Sequence, residues 1–189
     1  MIEIVDPKTE WPLEFSVISE ALNIALGAAV VRIDHIGSTS VPGLVAKDII
    51  DIQITVTDIG DESLPKLMES SGFTHRPQIV NDLLVGVSPD SPELKKLFFR
   101  EPQGQRTANI HVREQNRLNQ QYALLFRDYL RAHSDICDAY GRIKLELARK
   151  FPNDVDAYYD IKDPYIDTLF FAAREWAKHS GWPNKQEST

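Results

Sequence analysis

One segment of the chain alternates so regularly between apolar and polar residues that it has to form a strand with two different faces. Residues 48–56 read Asp-Ile-Ile-Asp-Ile-Gln-Ile-Thr-Val, so that Asp51, Gln53 and Thr55 alternate with isoleucines. β-Branched residues dominate the segment, and such residues favour strands. Because successive side chains of a strand point to opposite faces, the isoleucines predict a buried face. The polar residues predict a second face that can carry a site.

The rest of the chain divides into a strand-rich first part and a helical last part. The apolar spacing predicts, in chain order, a helix at 12–26, a strand at 30–36, a short helix at 63–71, strands at 83–87, 94–99 and 107–113, and helices from 118, at 136–149 and at 155–178. Pro164 is predicted to start or kink the last helix. The fold class is therefore α+β, a mixed sheet of about five strands with an N-terminal helix and a C-terminal helical layer.

Length and charge restrict the domain organisation and the partners. The 189 residues fit one domain, predicted over residues 1–180, with 181–189 as a frayed polar tail. Twenty-one basic against 28 acidic residues give a formal net charge of −7, which disfavours nucleic acid as a partner. No apolar run is long enough to span a membrane, so no membrane partner is expected. The composition identifies no protein partner.

The single cysteine and the first residues of the chain indicate a cellular compartment. Cys137 has no second cysteine with which to form an intramolecular disulfide or a cysteine-cluster zinc site. The first ten residues are charged and contain a proline, unlike a secretory signal. A cytoplasmic location is therefore expected.

A hydroxyl-rich loop precedes the acidic strand. It comprises Gly37, Ser38, Thr39 and Ser40, and Lys47 stands between it and Asp51. Backbone N–H groups and hydroxyls of such a loop can hold a phosphate, with Lys47 as a nearby positive charge. The alternative is that the glycine only forms a turn and the serines cap a helix. The acidic strand that follows favours the phosphate site.

These residues resemble a known family. Residues 35–44, which read His-Ile-Gly-Ser-Thr-Ser-Val-Pro-Gly-Leu, together with Lys47 and Asp51, resemble the GrpB-like family of the DNA polymerase β-type nucleotidyltransferase superfamily. Weaker matches continue at 109–112, 125–131, Tyr140 with Lys144, and Tyr158 and Tyr159 with Lys162. The family also occurs as the extra domain of some dephospho-CoA kinases. The resemblance implies a sheet of nucleotidyltransferase type and a nucleotide or other small phosphate-containing ligand.

The chemistry of that superfamily requires carboxylates at alternate positions of one strand, where they hold two divalent cations. Asp51 occupies the first position, but Gln53 occupies the second, and a neutral amide is a weaker Mg²⁺ ligand than a carboxylate. The later strand at 107–113 offers Asn109 and His111 instead of a third acid. The two-metal set is therefore incomplete in this sequence.

The histidines suggest a different metal site. His35, His111 and Asp51 form a candidate catalytic and metal-binding set, which as two imidazoles and one carboxylate suits Zn²⁺ or Mn²⁺ better than Mg²⁺. The alternative is that each histidine is a hydrogen-bonded structural residue. The three would have to lie side by side for the metal interpretation to hold.

A second candidate element lies in the helical part. Arg127 and Arg131 are four residues apart, so they share a helix face on which two guanidinium groups can hold an anion. Lys144 and Lys162 can join them from neighbouring helices. This predicts an anion-binding wall opposite the loop of Ser38. The alternatives are exposed ion pairs and a structural link between helices and sheet.

Two functions follow. The first is a nucleotidyltransferase-fold protein that binds a nucleotide or other phosphate ligand at the loop of residues 37–40, with metal-dependent nucleotidyl transfer at Asp51. The second is a non-catalytic ligand-binding or folding-accessory module related to the domain fused to dephospho-CoA kinases. Gln53 favours the second function, whereas the hydroxyl and histidine residues favour a retained ligand site. Gln53 and Asn109 are predicted to belong to that site in either case.

Overall fold

A computed structural model describes residues 1–182 of the chain. The α-helices of this part are α1 (Trp11–Leu26), α2 (Ser63–Ser70), α3 (Leu118–Ala132), α4 (Ser134–Lys150) and α5 (Val155–Ser180). Its strands are β1 (Arg32–Ile36), β2 (Ile50–Val56), β3 (Thr74–His75), β4 (Leu97–Arg100) and β5 (Ala108–Glu114). Short 3₁₀ turns occur in addition at Gly27–Ala29, Ser38–Ser40 and Pro92–Leu94.

The strands form one mixed sheet in the order β1-β2-β5-β4-β3. β2 and β5 run parallel, and the other neighbouring pairs are antiparallel. Strand β2 lies in the interior of the sheet, and Ile50, Ile52 and Ile54 are fully buried. The predicted α+β class, with a mixed sheet, an N-terminal helix and a C-terminal helical layer, is confirmed.

Helices cover both faces of the sheet. On one face α1 contacts β1 and β2, and Trp11, Leu22 and Ile52 belong to the same hydrophobic core. On the other face α3 contacts β1, β2 and β5, and α4 and α5 pack against α3. The isoleucines of β2 point to the first face, which is therefore apolar. The polar side chains of β2 point to the other face, toward the C-terminal helices.

The helix boundaries agree with the sequence predictions, whereas one strand prediction is wrong. Residues 83–87 form no strand. The segment is a loop. Asp82, just before it, pairs with Arg113, and the Val85 amide donates to Asp167, while Leu83 and Val85 are largely exposed. The pattern missed β3, because a strand of two residues is too short to show a period.

The last helix begins at Val155, as predicted, and runs through Pro164, so the proline does not start it. Beyond its end, Trp182 donates a hydrogen bond of 3.0 Å to Asp128, so packed structure extends past the predicted limit of residue 180. The remainder of the predicted tail, residues 183–189, lies outside the described residues. In the described part of the chain, no helix has the length and apolar character that crossing a bilayer requires.

Candidate ligand-binding site

A cavity of about 480 Å³ lies between the polar face of the sheet and the C-terminal helices. This volume is in the range of small-molecule sites. Nine of the predicted site residues line it: Gly37, Ser38, Thr39, Lys47, Asp51, Asn109, His111, Lys144 and Lys162.

The parallel register of β2 and β5 assembles the floor of this cavity. It places Asp51 beside Asn109, and Gln53 beside His111. Because side chains alternate along both strands, these polar residues share the face of the sheet that looks toward α3–α5. The sequence could place each residue on a strand, and the register brings Asn109 and His111 to the face of Asp51.

Asp51 lies directly under the glycine loop. Gly37 adopts φ +68°, and a Cβ at this position would lie 2.8 Å from the Asp51 Cβ and 2.9 Å from its Cγ. Glycine is required here both for the left-handed backbone and for this close approach. Asn109 donates a hydrogen bond of 2.8 Å to Asp51, and Arg100 donates one of 2.7 Å to Asn109. Burial raises the pKa of Asp51, and the Asn109 hydrogen bond opposes that rise.

Lys144 extends from α4 to the same loop. Its ammonium donates a hydrogen bond of 2.8 Å to Ser38 Oγ and another to the Val45 carbonyl. It also lies 4.6 Å from the centre of the Tyr140 ring. Only 3% of Lys144 is exposed. Burial, and then the nearby charge of Lys162, lower the pKa of Lys144 to about 7. An anion next to this amine would restore its charged form.

Two more lysines complete a cationic corner, which we define as Lys47, Lys144 and Lys162. Lys47 Nζ lies 4.5 Å from the ring centres of both Tyr158 and Tyr159 and donates to the Tyr159 hydroxyl at 3.2 Å. Lys162 lies 4.8 Å from the Tyr159 ring centre and pairs with Asp163 at 2.7 Å. Cation–π contacts of this kind hold the ammonium groups of Lys47 and Lys144 in place without neutralising them.

His35 does not belong to this site, which corrects the predicted histidine set. The antiparallel register pairs His35 with Ile52, so its side chain is on the isoleucine face. There it stacks on Phe15 at 4.8 Å and lies 2.9 Å from Thr39 Oγ1. Burial, with the charges of Arg131 and Arg127, lowers the pKa of His35 to about 4, so the ring is neutral at pH 7.

The predicted metal site of His35, His111 and Asp51 is therefore not assembled. His111 and Asp51 face the cavity, while His35 is on the other side of the sheet. Across residues 1–182 no three side chains of the metal-ligating types come close enough to hold an ion.

Gln53 also lies outside the cavity. It is fully buried, accepts a hydrogen bond of 2.7 Å from Arg113 and donates one of 3.1 Å to the Gln120 carbonyl. Both ends of the amide are thus occupied by the protein. The donor set does not fit a two-metal centre, because the second strand position is tied to a guanidinium and only Asp51 faces the cavity from β2.

The arginines of α3 are structural, which corrects the predicted anion-binding wall. Arg127 donates 3.0 Å to the His35 carbonyl, and Arg131 donates 2.7 Å to the Ser40 carbonyl. Ser40 in turn donates from its hydroxyl to the Gly37 carbonyl. None of these three side chains lines the cavity. They fix the strand end and the loop to α3, which was the alternative interpretation of the sequence.

Sequence reasoning missed a charged network farther along β5. Asp82 accepts hydrogen bonds from Lys96 at 2.6 Å, Arg113 at 2.8 Å and Asn119 at 3.1 Å. The charges of Arg113 and Lys96 hold the pKa of Asp82 far below its usual range despite burial. Asp82 lies in an irregular loop, so no helix or strand periodicity in the sequence could identify it. Arg113 was visible as the residue two beyond His111 on the same strand face.

Comparison with known proteins decides the family. The family model for GrpB protein matches residues 1–171. The chain belongs to the GrpB family. The predicted membership is confirmed.

Relatives of this GrpB-family chain include longer proteins. It is 33% identical over 200 residues to the dephospho-CoA kinase of Mycolicibacterium paratuberculosis, a match that covers 96% of this chain and 48% of that protein. The chain spans about half the length of the curated relatives it matches first.

Solved structures support the same fold. The GrpB protein of Enterococcus faecalis superposes with a TM-score of 0.75 and 29% identity, over 92% of this chain and 99% of that one. Cid1, solved in complex with its short product ApU, superposes with a TM-score of 0.51 and 14% identity, over 77% of this chain and 43% of that one. The second match shows that the two chains share a fold.

Proposed function

We propose that this GrpB-family protein binds a nucleotide or another phosphate-bearing small molecule in the cavity between the sheet and the C-terminal helices. The observation that carries the proposal is the cationic corner of Lys47, Lys144 and Lys162 beside the Ser38 hydroxyl. Lys144 is buried, and within residues 1–182 its hydrogen bonds go to a hydroxyl and a carbonyl and to no carboxylate. Such a group is costly to bury unless an anion joins it.

We assign the ligand's phosphate to the cationic corner because the lysines and the Ser38 hydroxyl favour an anion there. Lysine ammonium groups bind phosphates as point charges, and the hydroxyl of Ser38 adds a hydrogen-bond donor. Cid1, which shares the fold, was solved with the nucleotide product ApU, which supports a nucleotide as the ligand class.

Of the two functions that the sequence left open, the binding role is the better supported. Nucleotidyl transfer by two cations needs a second carboxylate near Asp51, and Gln53 is engaged by Arg113 instead. The match to part of a dephospho-CoA kinase agrees with a binding module that accompanies catalytic domains. A folding-accessory role needs no small ligand, so ligand titration separates the two.

The test is calorimetric titration of inorganic pyrophosphate and uridine monophosphate into the full chain and into the double variant Ser38→Ala with Lys47→Ala. We expect both probes to bind the wild type and to bind the double variant about tenfold more weakly. The matched control is Lys66→Ala, which removes an exposed lysine of α2 and should change nothing. Absence of binding to the wild type, or equal binding to the double variant, would overturn the proposal.

A further inference from the structure

A buried hydrogen-bond acceptor without a partner lies at the end of the cavity away from the cationic corner. Asn119, in the first turn of α3, is 3% exposed and lines the cavity. Its amide group donates to Asp82 at 3.1 Å and to the Lys95 carbonyl at 2.9 Å. Flipping the amide would turn its oxygen toward two acceptors, so the orientation is fixed. Among the described residues the Asn119 Oδ1 atom has no hydrogen-bond partner.

A hydrogen-bond donor lies in the same part of the cavity. The His111 Nδ1 atom is 3.4 Å from a guanidinium nitrogen of Arg113, and a guanidinium group can only donate. The proton of the neutral ring is therefore on Nε2. Burial, and then the charges of Arg113 and Lys96, lower the pKa of His111 well below its usual value, so the ring stays neutral. An edge contact with Phe98, with ring centres 5.0 Å apart, orients it.

The Asp82–Arg113 pair holds both groups in position. The same Asp82 oxygen accepts from Arg113 at 2.8 Å and from Asn119 at 3.1 Å, and Arg113 contacts His111. With Lys96 as a third donor, both oxygens of Asp82 accept hydrogen bonds from the protein. Beside this network, two residues of the cavity lining supply neutral groups: His111 has the donor Nε2–H, and Asn119 has the buried acceptor Oδ1.

The geometry points to a ligand that carries one hydrogen-bond donor and one acceptor side by side on the same edge. Asn119 accepts from the ligand's donor, and His111 donates to its acceptor. This inference rests on the proposed function, in which the phosphate of the same ligand lies at the cationic corner. An ordinary secondary amide is trans and points its N–H and C=O in opposite directions. A nucleobase edge or a primary carboxamide presents both on one side. The ligand class is therefore a phosphorylated nucleoside, with a base or a carboxamide at the Asn119 end.

The first experiment varies the ligand and leaves the protein unchanged. Uridine monophosphate, its N3-methyl derivative and ribose 5-phosphate are titrated into the wild-type chain. Methylation removes the donor that Asn119 Oδ1 would accept, so we expect it to weaken binding about tenfold, to the level of ribose 5-phosphate. Nicotinamide mononucleotide carries a primary carboxamide. Comparing its affinity with that of uridine monophosphate shows whether the site prefers a carboxamide or a nucleobase.

The second experiment removes the donor from the protein. His111→Phe keeps an aromatic ring against Phe98 but lacks Nε2–H, and should weaken uridine monophosphate about tenfold while changing ribose 5-phosphate less than about twofold. Thr55→Val is the matched control, because Thr55 Oγ1 is also buried and unpartnered but lies outside the cavity.

The outcomes separate this inference from the proposed function. If ribose 5-phosphate and pyrophosphate bind, but neither base methylation nor His111→Phe affects uridine monophosphate, the edge-reading site is wrong while the phosphate site stands. If no phosphate-bearing probe binds at all, both are wrong.

Discussion

The guanidinium of Arg113 donates a hydrogen bond of 2.7 Å to the side-chain oxygen of Gln53, across neighbouring strands β5 and β2. Arg113 also pairs with Asp82 at 2.8 Å. The strand position that would hold a second metal-binding carboxylate is therefore part of a buried hydrogen-bond network. This network separates Gln53 from the cavity, although Asp51 lies only two residues away.

The variant Gln53→Glu tests this separation. A carboxylate here would pair with Arg113, but it would also set an oxygen against the Gln120 carbonyl that now accepts from the amide. We expect a loss of about 1–3 kcal/mol in the free energy of unfolding, measured by urea denaturation, and no gain in Mg²⁺ binding by calorimetry. Mg²⁺ binding that appears in Gln53→Glu and disappears when Asp51→Asn is added would contradict this prediction.

Gly37→Ala should be more damaging than a comparable change at another glycine with positive φ. Its Cβ would collide with the Asp51 side chain, whereas Gly43, at φ +80°, has no atom within 4 Å of an added Cβ. Both variants carry the backbone strain of about 1–3 kcal/mol, and only Gly37→Ala adds the collision. Urea denaturation should show Gly37→Ala to be the less stable variant by about 1–3 kcal/mol. Equal stability of the two would argue against the close approach.

Lys144 predicts a specific pH dependence of stability. Its pKa in the folded protein, about 7, lies below that of an unfolded lysine, about 10.4, so the folded state binds fewer protons between these values. The unfolding free energy contributed by Lys144 therefore rises with pH in this window, by at most about 1.4 kcal/mol per pH unit.

The measurement is the free energy of unfolding of wild type and Lys144→Met, by urea denaturation at pH values from about 6 to about 9.5, a range that covers most of this window. The stability of the wild type relative to the variant should be constant below about pH 7 and should increase above it. Parallel profiles over the whole range would show that Lys144 titrates normally.

Arg131→Met should affect stability but not ligand binding. The Arg131 guanidinium donates to the Ser40 carbonyl through two nitrogens, at 3.1 and 2.7 Å, and does not line the cavity. Because the group is 41% exposed, we expect a modest loss of about 1 kcal/mol in the free energy of unfolding. The dissociation constant for pyrophosphate should stay within about twofold of wild type. A large loss of affinity without loss of stability would restore the anion-binding interpretation.

The sequence alone determined the elements that depend on local pattern. The alternation at residues 48–56 determined strand β2, and the apolar spacing determined α1 and the C-terminal helices. The glycine-serine loop and Asp51 pointed to the family and to the floor of the site. These features depend on residue type and on the periods of helix and strand, which are set by neighbours along the chain.

The tertiary structure decided which side chains meet. Strand periodicity could not tell whether His35 would share a face with Asp51, because that depends on the register between β1 and β2. The partners of Arg127 and Arg131 are carbonyl groups more than 90 residues away along the chain. Asp82 and Asn119 meet from a loop and a helix separated by 37 positions. Pairings over such distances follow from the packing of whole elements, which no local pattern in the sequence encodes.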